Sequence, residues 1–130
     1  MAAVPAVYRD LIVVKSPYDG SGSSTKRQAF VLFVDAGGTD VAGGTDTLDV
    51  DVPTLLAAHV HSGRTYTVRS FALWQTCRNA TADYAATMTN STGVLSLTPK
   101  SVSNWSSNAT ITGATTVDQP YGVYVLCDLS

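Results

Sequence analysis

The sequence predicts an all-β domain, an antiparallel β-sandwich or jelly-roll-like fold with seven to eight strands and one short helix. Three observations predict this class. First, the ten acidic residues are all Asp, with no Glu, and Asp, Ser and Thr favour turns and strand edges over helix interiors. Second, several segments are β-branched and apolar or alternate with period two. Third, turns rich in Gly, Ser and Asn separate these segments.

The first half of the chain contains two apolar strands and a glycine-rich loop. Residues 7–15 predict a first strand, and the Gly- and Ser-rich residues 19–24 predict a loop. Residues 27–35 are apolar enough to form a second strand that is buried on both faces. The tetrapeptide Gly-Gly-Thr-Asp occurs at residues 37–40 and 43–46, which predicts a glycine-rich loop because two copies are too few for a solenoid.

The middle of the chain predicts two strands that flank a short helix. In residues 48–52, Leu and Val alternate with Asp, so one face of this strand points inward. Residues 53–63 predict the helix, with Pro at its start and Gly just past its end. Residues 64–75 predict the longest strand, and a single alternation would place Tyr66, Val68 and Trp74 on the same side.

The last part of the chain predicts a hairpin, a polar loop and a closing strand. Residues 84–89 and 94–98 form the hairpin around a four-residue turn. Residues 104–108 predict a polar loop around Trp105, before a short strand at residues 110–112. Residues 121–129 predict a buried final strand. The predicted core comprises Val13, Phe30, Leu32, Val68, Leu73, Trp74, Val123 and Val125.

Length and charge limit the domain organisation and the partners. The 130 residues make one domain, with residues 1–7 as an N-terminal arm and residues 8–130 as a single β-sandwich domain. The arm either lies on a neighbouring molecule or frays. The net charge of −2 disfavours nucleic-acid binding through a broad basic face. We expect neither a membrane-spanning segment nor a signal peptide.

Two groups of residues have the chemistry of metal ligands. Half of the Asp residues lie close together in the sequence, at positions Asp35, Asp40, Asp46, Asp49 and Asp51. Calcium is one interpretation of this acidic cluster, but the spacing favours turns and the solvated face of a strand. The two His residues, His59 and His61, diverge by about 200° on a helix and would not share a metal. We therefore expect no metal and no cofactor.

The two cysteines leave two interpretations open, and no catalytic constellation stands out. Cys77 and Cys127 would form a disulfide if their strands meet, whereas the favoured alternative is a pair of reduced, half-buried thiols. Neither histidine lies near a recognisable nucleophile motif, and nothing selects a pair of carboxylates for hydrolysis. The sequence therefore predicts a protein that is not an enzyme.

The second half of the chain resembles the capsid decoration (cement) proteins of tailed bacteriophages. The resemblance is carried by residues 64–69 (RTYTVR), 71–75 (FALWQ), 94–100 (VLSLTPK), 103–105 (SNW) and 120–125 (PYGVYV), and more loosely by residues 7–10 (VYRD). It implies a non-enzymatic β-sandwich, a homotrimer, that binds the outside of the assembled capsid through the major capsid protein and stabilises it. It also implies location on the virion surface after synthesis in the host cytoplasm.

Two other functions compete with this expectation. A phage tail-fibre or baseplate module would bind host-surface glycans, with exposed aromatic side chains such as Trp105 stacked on sugar rings. A small β-fold enzyme is the other alternative, although no site in the sequence supports it. Binding to glycans would favour the first, and metal-dependent hydrolysis would favour the second.

Overall fold

The computed structural model describes residues 2–14, 26–80, 82–112 and 117–130, which contain twelve strands and one helix. The elements in chain order are β1 (Ala2–Pro5), β2 (Val7–Val14), β3 (Lys26–Asp35), β4 (Val41–Ala42), β5 (Asp46–Asp51), α1 (Val52–His59), β6 (Tyr66–Gln75), β7 (Cys77–Asn79), β8 (Asp83–Ser91), β9 (Val94–Ser101), β10 (Thr110–Ile111), β11 (Val117–Gln119) and β12 (Tyr121–Leu129).

These strands form two main sheets around one core, which confirms the predicted all-β, sandwich-like class. One sheet has the order β1-β5-β9-β8-β7-β11 and the other the order β2-β3-β12-β6, while β4 and β10 form a small two-stranded sheet. Seven strands have six or more residues, in agreement with the predicted number. The other five have two to four residues; the sequence predicts one of them, β10, as the short strand at residues 110–112, and the other four are too short for an alternation of apolar side chains to reveal them.

The first strand is the exception to the antiparallel pattern. Residues 2–5 pair in parallel with β5, from Ala2 opposite Asp46 to Pro5 opposite Asp49. Val4 is buried by this pairing, and the amide of Ala6 donates to the carbonyl of Asp49. Residues 2–5 of the predicted N-terminal arm therefore belong to a sheet of their own chain instead of being frayed.

The single helix begins where the sequence predicts it and is shorter. It covers Val52–His59, whereas the prediction extended to residue 63. The carboxylate of Asp51 accepts a hydrogen bond from the amide of Thr54, as an N-cap does, and Pro53 occupies the first turn. Only eight residues long, the helix depends on docking, and Leu56 is fully buried in the shared core.

The core draws apolar side chains from both main sheets and from the helix. Phe30, Leu32, Val123 and Val125 are buried, as predicted. The predictions for Val13 and Trp74 are wrong, because these side chains are 56% and 61% exposed. Val68 and Leu73 are half-buried against the core cluster. Val13 lies on β2, an edge strand with a neighbour on one side only, which leaves its side chain uncovered.

The error at Trp74 has a local cause in the pairing of β6 with β12. Ser70 lies opposite Leu126 and Val68 opposite Cys127, so Arg69 is an extra residue, a β-bulge. Because side chains alternate with period two, one extra residue moves every later side chain to the opposite face. Trp74 therefore points away from the core, although the uninterrupted alternation placed it with Tyr66.

Candidate interaction surfaces

The outward face of the four-stranded sheet is apolar across all four strands. On β12, Val123 and Val125 face the core, so Tyr124 between them faces outward. The same alternation on the paired strands defines what we call the outer sheet face: Ile12, Ala29, Val31, Phe33, Ala72, Trp74, Tyr124 and Leu126. One row crosses all four strands through Ile12, Val31, Tyr124 and Ala72.

Two large side chains on this face are exposed to solvent. Trp74 is 61% exposed and Ile12 is 47% exposed, whereas Phe33, Tyr124 and Leu126 are half-buried, and Ala29 and Val31 on the central strand β3 are fully buried. The absence of a side chain at Gly122 leaves room for the indole of Trp74. A Cβ atom at position 122 would lie 3.2 Å from Cδ1 of the indole and 2.8 Å from Cβ of Gln75. The indole therefore lies close against the backbone of the central strand.

Among the described residues, the ionised groups near the outer sheet face lie at its margins. At one end, Asp128 accepts from Nε of Arg27 at 3.0 Å and from Nη1 of Arg69 at 2.9 Å. Partial burial acts to raise the pKa of Asp128, but the hydrogen bonds from Arg69 and Arg27 outweigh it and lower that pKa. At the other end, the exposed Asp10 lies opposite Phe33. The centre of the face is uncharged.

A second exposed aromatic surface lies on the loop that follows β9. Residues 102–108, here called the aromatic loop, present Trp105 with 49% of its surface exposed, as the sequence predicted. Hydrogen bonds fix the backbone: the amide of Ser107 donates to the carbonyl of Asn104, and Oδ1 of Asn104 accepts from N and Oγ of Ser106. The loop therefore holds Trp105 in a defined position outside the core.

Four of the five acidic residues that were candidates for calcium, namely Asp35, Asp46, Asp49 and Asp51, accept separate local hydrogen bonds. Asp35 is buried, and its carboxylate accepts from Nε of Arg9 at 2.7 Å, from Nη2 of Arg9 at 2.9 Å and from the amide of Gly37. The hydrogen bond with Asp35 raises the pKa of Arg9. Asp51 caps the helix. Among the described residues, no group of three or more His, Cys, Asp or Glu side chains is placed to hold a metal ion.

The two histidines lie in different surroundings. The imidazole of His59 stacks on the ring of Tyr8, with 3.6 Å between centroids and 6° between planes. Nδ1 of His61 accepts from the amide of Gly63 at 3.0 Å, and the carbonyl of His61 accepts from the hydroxyl of Tyr66. Each histidine thus helps to attach the end of α1 and the loop after it to the sheets.

The candidate disulfide is not formed, because Cys77 and Cys127 are both buried, free thiols. Their strands do meet in part, since β6 pairs with β12, but Val68 is the residue opposite Cys127. Eight residues separate Val68 from Cys77, which pairs with Tyr84 in the other sheet. Burial raises the pKa of each thiol to about 12, with smaller contributions from Asp35 at Cys77 and from Asp128 at Cys127.

Sequence reasoning missed one open cavity of about 290 Å³ beside the start of β6. It is lined by Tyr66, Thr67, Val68, Asn90, Thr92 and Gly93. The turn that joins β8 to β9 forms one wall, where Thr92 and Gly93 have φ values of 50° and 93°. The Asn and Gly of this turn were visible in the sequence, but the approach of the turn to β6 depends on the packing of the sheets.

Searches for similar proteins add no further evidence. No protein-family model, no curated protein and no solved structure matches the chain significantly. In the described residues, no helix is long and apolar enough to span a membrane. The function is therefore argued from the two exposed surfaces.

Proposed function

We propose that this chain is a non-enzymatic virion structural protein, which binds the outside of an assembled capsid as a homotrimer and stabilises it. One observation carries the proposal: the β framework presents exposed aromatic side chains at two separate places, Trp74 on the outer sheet face and Trp105 on the aromatic loop. A protein that cements a shell needs two kinds of contact, one that joins its own copies and one that attaches them to the shell.

The composition of the chain is also consistent with extensive protein contacts. Charged residues make up 14% of the sequence, about half the usual share, and charged side chains are depleted in the centres of interfaces. The resemblance of residues 64–130 to capsid decoration proteins supports the same function. The partner in this proposal is the major capsid protein, on the outer surface of the virion.

The aromatic loop has the properties of the attachment site. Trp is among the residues most enriched at the energetic centres of interfaces, and Trp105 is exposed beside a second exposed apolar residue, Val102. Because hydrogen bonds through Asn104 already order the loop, little conformational entropy is lost on binding. A trimer presents three such loops, and linked contacts bind far more tightly than one contact alone.

The test is to add the purified protein to capsids of the same virus that lack it. Saturable attachment and a higher temperature of capsid disruption are expected, because a ligand that binds only the assembled form stabilises it by mass action. Trp105→Ala should weaken attachment about tenfold or more. Val60→Ala is the matched control, since Val60 is an exposed apolar residue at the end of α1, outside both surfaces. Failure of the wild-type protein to attach would refute the proposal.

Recognition of host glycans is the second candidate function, in a tail-fibre or baseplate module. The observation that favours it is the same Trp105, whose loop carries Ser and Asn but no charged side chain. An exposed indole with an uncharged polar rim is suited to stacking on a neutral sugar. A glycan array read with the wild-type protein and with Trp105→Ala distinguishes the two functions, because only this candidate predicts sugar binding that the substitution abolishes.

A further inference from the structure

We propose that the cavity beside the start of β6 binds a short extended peptide segment of a partner protein, which pairs with the free edge of β6 and places one uncharged side chain in the cavity. The cavity, of about 290 Å³, lies between residues 66–68 of β6 and residues 90–93 of the turn between β8 and β9. It includes no residue of the aromatic loop or of the outer sheet face. The inference therefore goes beyond capsid attachment and does not depend on it.

The backbone of β6 supplies hydrogen-bonding groups along one side of the cavity. Among the described strands, β6 is the last of its sheet and pairs only with β12. Thr65, directly before β6, exchanges two backbone hydrogen bonds with Ser130. In an antiparallel pair such exchanges recur at every second residue, so Thr67 faces β12, whereas Tyr66 and Val68 direct N–H and C=O away from it. The groups of these two residues lie about 7 Å apart, which is the two-residue repeat of an extended peptide.

The opposite wall of the cavity is a turn held in an uncommon conformation. Thr92 has a φ of 50°, in the left-handed region that β-branched residues rarely adopt. The amide of Gly93 donates to Oδ1 of Asn90, and the carbonyl of Gly93 accepts from the amide of Val52 at the start of α1. Backbone strain of this kind persists where the surrounding structure fixes it, and it is concentrated at ligand sites. The wall is therefore formed before binding, which lowers the entropy cost of binding.

The lining of the cavity selects an uncharged side chain. The described lining residues include no acidic or basic side chain. The hydroxyl of Tyr66 already donates to the carbonyl of His61, so the ring of Tyr66 and the side chain of Val68 provide apolar wall. Oδ1 of Asn90 accepts from the amide of Gly93, which leaves Nδ2 of Asn90 as a donor. A charged side chain would lose hydration here without gaining a partner of opposite charge, whereas an apolar or amide side chain fits the lining.

The free strand edge and the cavity together favour a peptide over a small molecule as the occupant. When a peptide adds a strand to a sheet edge, main-chain hydrogen bonds supply affinity and pockets for alternate side chains supply specificity. The cavity is open to solvent and smaller than the usual small-molecule site of about 300–1,000 Å³. Because the bulge at Arg69 interrupts the edge after Val68, the paired segment is short and weak binding is expected.

The test is a nuclear magnetic resonance titration of the isotope-labelled protein with four blocked pentapeptides of sequence Thr-X-Thr-X-Thr, in which X is Val, Asn, Asp or Lys, up to about 1 mM. The Val and Asn peptides should shift the amide signals of Tyr66 and Val68 and slow their hydrogen exchange. The Asp and Lys peptides should bind at least about tenfold more weakly. Thr67→Trp places a large side chain in the cavity and should weaken binding at least about tenfold. Thr65→Trp is the matched control, since Thr65 is exposed on the same face of the strand but does not line the cavity.

Each outcome supports or overturns the inference. The absence of a response to every peptide overturns it, and so does equal binding of the Val and Lys peptides or binding that Thr67→Trp leaves unchanged. If Thr67→Trp fails to fold by circular dichroism, hydrogen exchange in the wild-type protein decides, because protection that omits the amides of Tyr66 and Val68 overturns the inference. A response of these amides to N-acetylglucosamine, with none to the peptides, assigns the cavity to small molecules and also overturns it. Failure of the protein to attach to capsids refutes the proposed function alone.

Discussion

The two buried thiols make the stability of the protein depend on alkaline pH. Burial raises the pKa of Cys77 and of Cys127 from an ordinary value near 9 to about 12. In the unfolded chain the thiols ionise near pH 9, whereas in the folded chain they stay protonated. Stability is therefore fully present below pH 9 and is lost as the pH rises from 9 towards 12. Each thiol contributes about 1.4 kcal/mol per pH unit, or roughly 2–3 kcal/mol between pH 9 and pH 11.

Urea unfolding between pH 8 and pH 11 measures this loss. Tyr and Lys side chains also titrate in this range, so the decisive quantity is the difference between wild type and Cys127→Ala. In Cys127→Ala, loss of the sulfur lowers the free energy of unfolding by the same amount at every pH. The slope of that free energy against alkaline pH should, however, correspond to about one proton per molecule fewer than in the wild type. Cys77→Ala should give a similar change, because both thiols are buried. Equal slopes in all three proteins would refute the reasoning.

Two further predictions concern the core and the deeply buried acid Asp35. Phe30→Ala should lower the free energy of unfolding, measured in urea, by about 3–5 kcal/mol, as large-to-small changes in a core do. Trp74→Ala should lower it by less than about 1 kcal/mol, because the indole is exposed. Equal losses in the two variants would contradict the outward position of Trp74. Arg9→Ala leaves the buried carboxylate of Asp35 with the amide of Gly37 as its hydrogen-bond donor. Because Arg9 is half-exposed, we expect the free energy of unfolding to fall by about 2 kcal/mol. Arg78→Ala breaks an exposed ion pair and is the control; an equal or larger fall in that variant would contradict the prediction.

The sequence is informative where strands are long and regular. The period-two alternation in residues 48–52 correctly predicts β5, and the apolar runs at residues 27–35 and 121–129 correctly predict β3 and β12. In these strands, burial of one or both faces determines which consecutive residues are apolar, so the pattern is visible in the sequence. Strands of two to four residues carry no such pattern, and their pairing depends on the rest of the fold. Residues 2–5 are an example, since only β5 makes them a strand.

The candidate sites were less predictable, because they depend on which strands become neighbours. The pairing of β6 with β12 was a condition of the disulfide interpretation, and it is met, but the register places Val68 opposite Cys127. Trp105 was correctly placed because a polar loop around an aromatic residue needs no long-range information. Among the candidate metal ligands, the local hydrogen bonds that Asp46, Asp49 and Asp51 accept depend on nearby backbone and side-chain positions, which the spacing of the acids does not reveal.

Two irregularities in the pairing of β6 with β12 bear on the error at Trp74: Arg69 is an extra residue between Val68 and Ser70, and Trp74 is itself an extra residue between Leu73 and Gln75. Without the bulge at Arg69, the alternation of β6 would direct Trp74 into the core. With it, Arg69 and Ser70 both face outward, Arg69 reaches Asp128, and Trp74 lies over Gly122. Bulges disrupt the ladder where they occur, and native proteins retain them where they redirect a side chain to a useful position. The exposed indole of Trp74 is here the side chain redirected.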